Sequence, residues 1–136
     1  MKAQHLLRHA GMTALLFLLS PAPVLAADQE TSLSGQAIQE LLTGNTASNR
    51  PGDSFVHQTF EASGRTVYRQ GERPTEIGKW RVEGDQYCSQ WPPFGGWSCY
   101  RMTSEPFGTL KTGDTIRATF VGQSTEYPVL IRIKGS

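Results

Sequence analysis

Apolar and polar positions along the chain follow two different periods. Between Ser34 and Gly44, the apolar residues Ile38, Leu41 and Leu42 recur at helical spacing. Ser34 offers the side-chain oxygen of an N-cap and Gly44 stands just past the last apolar position, so the pattern predicts one short amphipathic helix. Residues 27–33 are polar and are expected to be flexible. Asn45 to Asp53 has almost no apolar side chain and contains Pro51-Gly52, which predicts a connecting loop. From Phe55 onward the period drops to two, with β-branched and aromatic residues punctuated by Gly, Pro and Asp. About eight strands are predicted, over 55–61, 65–70, 77–83, 86–91, 97–103, 107–112, 115–121 and 128–134.

The alternation also assigns faces. Ile77, Lys79, Arg81 and Glu83 share one side of their strand and Trp80 and Val82 the other, which predicts that Trp80 and Val82 face the core. The same phase selects Ile116, Ala118 and Phe120, and then Val129, Ile131 and Ile133, with Arg132 and Lys134 in water. Gly84-Asp85 and Gly113-Asp114 each read as a two-residue hairpin turn of type II′, in which glycine supplies the positive φ. Short strands joined by tight turns predict an all-β fold with one short N-terminal helix. Its strands form an antiparallel meander curling into a small barrel or half-barrel, with the helix over one end or over the open face.

The N-terminus changes the picture of compartment. Lys2 and Arg8 precede the apolar run Thr13 to Leu19, Pro21 and Pro23 break that run, and Val24-Leu25-Ala26-Ala27 follows with small residues at the positions a signal peptidase reads. A membrane span needs about 20 apolar residues and this run is much shorter. A signal peptide over 1–26 is therefore expected, followed by a single β-rich domain over 27–136, exported to the periplasm with no stable membrane insertion after cleavage. Loss of Lys2 and Arg8 takes the 13 basic residues to 11 against 12 acidic ones, a net charge of −1. Such a balance points to no nucleic-acid partner.

An exported chain with two cysteines, Cys88 and Cys99, is expected to close them into a disulfide. If the two face each other on a hairpin, Ser89 faces Ser98, Gln90 faces Trp97, and the tip is Pro92-Pro93-Phe94-Gly95. Tyr87, Ser89, Trp91, Tyr100 and Met102 then share one face, which looks like core, while the disulfide and Trp97 share the other. A loop of this size adds roughly 3 kcal/mol on the chain-entropy argument. Phe94, Trp97 and, less so, Trp91 are the candidate binding residues, a stiff aromatic platform for a ligand or partner, against the plainer alternative of ordinary packing.

Support for catalysis is thin. His57 could act as a base with Ser54 or Ser63 as nucleophile and Asp53, Asp85 or Asp114 as orienter, but no nucleophile elbow accompanies them, and a histidine on a strand facing solvent is the plainer reading. Glu72, Glu76 and Glu83 lie among Arg65, Arg69, Arg73 and Arg81, where surface pairing accounts for them. No metal site and no cofactor are expected, because His5 and His9 fall within the signal peptide and no phosphate-cradling glycine pattern is present.

Gly44-Asn45-Thr46 after the helix, then Gly78-Lys79-Trp80-Arg81-Val82, Gly84-Asp85, Cys88, Trp91 and Cys99-Tyr100-Arg101, resemble a family of small exported proteobacterial proteins catalogued as a domain of unknown function. The resemblance covers nearly the whole predicted mature chain and implies a periplasmic β-rich domain with a disulfide; it carries no activity to transfer. The Gly78-Lys79-Trp80 triplet is also similar to that of lipocalins, but it follows two predicted strands instead of opening the barrel, so only a small barrel with a mouth carries over. The functional expectation is a non-catalytic binding module for a small apolar or saccharide ligand. The alternatives are an interaction or inhibitor domain that presents the clamped tip to an envelope protein and, more remotely, a hydrolase using His57.

Overall fold

In the computed structural model, residues 29–49 and 55–135 are described; the predicted signal peptide and the loop residues Pro51-Gly52 lie outside them. The elements run β1 (Thr31–Ser32), α1 (Gly35–Leu42), β2 (Thr46–Ser48), β3 (Val56–Phe60), β4 (Arg65–Gln70), β5 (Glu76–Glu83), β6 (Gln86–Gln90), β7 (Ser98–Ser104), β8 (Thr115–Val121) and β9 (Glu126–Arg132). Each strand from β2 to β9 pairs antiparallel with its chain neighbour, and β2 also pairs with β9, so the strands close into an eight-stranded barrel. Of the two architectures the pattern allowed, the closed barrel is the one formed, and closure leaves no long sheet edge in need of cover.

α1 plugs one end. Ser34 caps it by accepting from the Ala37 N–H, and Ile38, Leu41 and Leu42 are fully buried, as the spacing predicted. They join Phe60, Trp80, Tyr87, Met102, Phe120, Ile131 and Ile133 in one core. Trp80 sits in that core with its indole N–H donating to the Glu61 carbonyl at 2.9 Å. The helix ends through Gly44 at φ +76°, whose N–H donates to the Phe60 carbonyl. Asn45 then binds three elements together: its side-chain amide donates to the Leu41 carbonyl at 2.8 Å, its side-chain oxygen accepts from the Lys134 N–H at 3.0 Å, and its backbone carbonyl accepts from Phe60.

Five expectations need correction. The stretch taken for loop contains β2, which closes the barrel between β3 and β9; Thr46-Ala47-Ser48 has no apolar alternation because its strand character comes from its two neighbours. Residues 29–33 are pinned instead of flexible. β1 pairs with Ser104 and Thr103 of β7, Leu33 N–H donates to the Met102 carbonyl, and the Glu30 carboxylate accepts from the hydroxyls of Thr103 and Thr119. The predicted strand over 107–112 is an irregular strap: Pro106 has no N–H to give a ladder, and Phe107 and Leu110 pack on the core from the plugged end. Gly113-Asp114 is accordingly a turn that caps the strap, with Gly113 at φ +93° and the Asp114 carboxylate accepting from the Lys111 N–H, not a hairpin. Gly84, by contrast, does turn a two-residue hairpin, at φ +57° between β5 and β6. β9 starts two residues earlier than predicted, and it tolerates Pro128 because β2 reaches only Leu130 to Arg132.

Candidate binding cavity at the open end of the barrel

The loops after β3, β5 and β7 lie at the plugged end, and those after β4, β6 and β8 lie at the other, where β2 ends and β3 begins. There a cavity of about 590 Å³ opens between the strand ends. Its size falls in the range of small-molecule sites. Inward-facing residues from every barrel strand contribute to it, because alternation sends one side chain in two to the barrel axis.

Its floor is a packed aromatic and polar layer. Phe60 meets Tyr87 edge-on at 5.7 Å, and Tyr87 lies 4.9 Å from Phe120. Gln58 donates through its amide to both the Tyr87 hydroxyl, at 2.9 Å, and the Thr66 hydroxyl, which in turn donates to the Thr59 carbonyl. Burial pushes the Tyr87 phenol up to about 12, the opposing hydrogen bonds with Ser89 and Gln58 being weaker than the cost of desolvating a phenolate. The floor therefore stays uncharged at any physiological pH.

Two aromatic walls rise from it. On one side Trp91 meets Tyr68 edge-on at 6.0 Å, with the Trp91 indole N–H donating to the Ser89 hydroxyl at 3.1 Å. On the other, Tyr100 stacks on Tyr87 and meets Tyr127 edge-on at 6.1 Å. Tyr127 is 50% exposed, so this wall reaches solvent. Ser48, Asn49, Gln70, Glu76 and Glu126 supply polar groups around the rings. Aromatic faces of this kind pack against apolar rings or the C–H faces of sugars, and the amides and hydroxyls can hydrogen-bond what the rings orient.

The Cys88–Cys99 hairpin forms part of this rim. The disulfide is formed, Cys88 faces Cys99, and Ser89 faces Ser98, the predicted register. The tip departs from the prediction in one respect: β6 stops at Gln90, which pairs with Lys79 and whose side chain donates to the Gly95 carbonyl at 2.6 Å, so Gln90 does not oppose Trp97 in a ladder. The three aromatic candidates are not one platform. Trp91 points into the mouth, seated on Gly78, where an added Cβ would fall 2.7 Å from the indole Cε3. Phe94 and Trp97 are on the outside, where Lys79 Nζ lies 5.1 Å from the Phe94 ring centroid and the Arg81 guanidinium 4.1 Å from that of Trp97. Part of each outer ring is thus already taken by a cation of β5.

The residues considered for catalysis lie apart. His57 is on the outer face of β3, in a groove with Phe55, Arg65, Arg69 and Ile77; burial, with the nearby charges of Lys134 and Arg69, lowers its pKa. Ser63 is in the β3–β4 turn at the plugged end, donating to Glu61. The Asp85 carboxylate accepts from the Gly35 N–H, and that of Asp114 serves its own turn. Ser54 and Asp53 fall outside the described residues. Glu83 lies beside the two cysteine sulfurs, but both are consumed by the disulfide and offer no thiolate.

Tyr68, Tyr87, Tyr100, Phe120 and Tyr127 were not singled out as site residues from sequence. A signal was present: each shares the inward phase of its strand, and an ordered meander places those phases at one end. Comparison with family models, with characterised proteins and with solved structures finds no match.

Proposed function

We propose that this is an exported, periplasmic binding protein that holds a small ligand with apolar or saccharide character in the open end of its barrel. The observation that carries this reading is a barrel plugged by α1 at one end and open at the other into a cavity with aromatic walls. The signal-like N-terminus, the pattern from Gly44-Asn45-Thr46 to Cys99, and a disulfide suited to an oxidising compartment support export. Native mass spectrometry of protein isolated from its own periplasm, beside its Trp91→Ala variant, tests it. A retained mass that the variant loses supports the reading; clean apo protein in both counts against it.

A second reading has one observation in its favour. Phe94 is 52% exposed on a loop stapled by the disulfide, and a stiff exposed loop loses little entropy on docking to an envelope protein. Pull-down from periplasmic extract with wild type and Phe94→Ala separates the two, since identical partners would remove the tip from consideration.

A further inference from the structure

Resting on the reading of the cavity as a ligand site, we propose that its ligand is a small organic cation: an ammonium group carried on an apolar or sugar body. The charge of the described residues that line the mouth is one-sided, the described cation at its rim, Arg73, donating to the Gln70 side-chain oxygen at 3.2 Å. Among the described residues Glu76 and Glu126 line it, and no Lys, Arg or His does. Both carboxylates are exposed, and neither shares in the ion pairs formed among the described residues, which join Arg65 to Glu61, Arg81 to Glu83 and Arg117 to Glu105.

The rings add a second, independent preference. An aromatic face carries the negative lobe of its quadrupole and attracts a cation within about 6 Å of the centroid. On the outside of the barrel the chain satisfies this itself, with Lys79 over Phe94 and Arg81 over Trp97. Tyr68, Trp91, Tyr100 and Tyr127 in the mouth pair with one another and receive no such cation from the described residues. Carboxylates and ring faces both favour positive charge and both repel an anion. The uncharged floor, where Tyr87 stays protonated, lets the body of such a ligand settle without meeting a fixed charge.

The test is isothermal titration of the full barrel with matched probes, at about 20 mM and about 300 mM salt, since screening over a Debye length weakens exposed charge pairs. Choline is set against neohexanol, its uncharged carbon isostere; glucosamine is set against N-acetylglucosamine and glucuronate. At least one cation is expected to bind about tenfold tighter than its uncharged counterpart, and to lose most of that advantage at high salt and in the Glu76→Gln/Glu126→Gln variant. The choline and glucosamine arms distinguish an alkylammonium from an amino-sugar ligand. Uncharged probes binding as well as their cations, glucuronate binding best, or an uncharged or acidic mass retained in the native spectrum would overturn the charge preference while leaving the cavity a ligand site. No binding by any probe, together with clean apo protein from the periplasm, would remove both.

Discussion

Gly78 is the position at which the mouth is most sensitive to a single methyl group. Its Cβ, if present, would lie 2.6 Å from the Gln90 carbonyl oxygen, 2.7 Å from Trp91 Cε3 and 2.9 Å from Trp91 Cδ2. Side-chain carbons do not approach so closely, so in Gly78→Ala either the β5–β6 ladder shifts or the indole swings off its seat. Overpacking of this kind costs about 1–3 kcal/mol, and the lower entropy of the unfolded alanine chain offsets roughly 0.5 kcal/mol of it. A net loss of about 1–2 kcal/mol is expected, read as a fall in the melting temperature of about 4–8 °C per kcal/mol for a domain of this size. Denaturant unfolding of the oxidised protein measures it. Because two of the three contacts are with the indole, the same substitution made in Trp91→Ala should cost distinctly less, a coupling that a double-mutant cycle isolates. If Gly78→Ala unfolds within about 0.5 kcal/mol of wild type, or if its cost is the same with and without Trp91, the seat described for the indole is wrong.

Asn45→Ala removes both side-chain hydrogen bonds that hold the helix end to the chain just past β9 and leaves the buried Leu41 carbonyl and the part-buried Lys134 N–H without that partner, so it should cost about 2–3 kcal/mol in a thermal or urea melt, with Asn45→Asp failing to restore it. Trp97→Ala and Phe94→Ala, both on the outer face, should each change stability by less than about 1 kcal/mol, whereas Trp91→Ala should lower stability more and abolish ligand retention. Among the four tyrosines, an ultraviolet titration should find one phenol that ionises only at about 12 and disappears in Tyr87→Phe. The sign follows from a folded pKa raised above the unfolded value of 10.0: Tyr87 adds stability below pH 10.0 that is lost as the pH rises towards 12. For His57 the shift is downward, so stability should fall as the pH drops below 6.5, and His57→Gln should flatten that slope.

Local pattern was enough to read most of the barrel. Trp80 declared its face through Lys79 and Arg81 on either side, Phe120 and Ile131 through the phase they share with Ala118 and Val129, and the lone cysteine pair set the register of β6 and β7, down to Ser89 opposite Ser98. β2 was illegible because its three small residues become a strand only between two partners distant in sequence, β3 and β9. The inward phase marked each ring of the mouth, but not which rings meet. Tyr68 and Trp91 meet although 23 positions separate them in the chain, and Tyr100 and Tyr127 although 27 do. Trp97 misled for a different reason: an aromatic residue beside a predicted tip looks available, and only the fold shows that a strand arginine covers it.

The plug at one end of the barrel has a consequence for how this protein can change. α1, the strap over residues 105–114 and both ends of the described chain gather at that end, so the loops after β4, β6 and β8 at the other end carry none of the closure. Each of those loops starts and finishes on a strand already fixed by its neighbours. Residues may be inserted in the β4–β5 loop at Gly71 to Thr75, or exchanged in the β8–β9 loop at Gly122 to Thr125, with the plug undisturbed. Selection can thus reshape what the mouth accepts while the folding problem stays solved, and a surface tether joined at either end of the described chain holds the barrel with its opening turned away from the support.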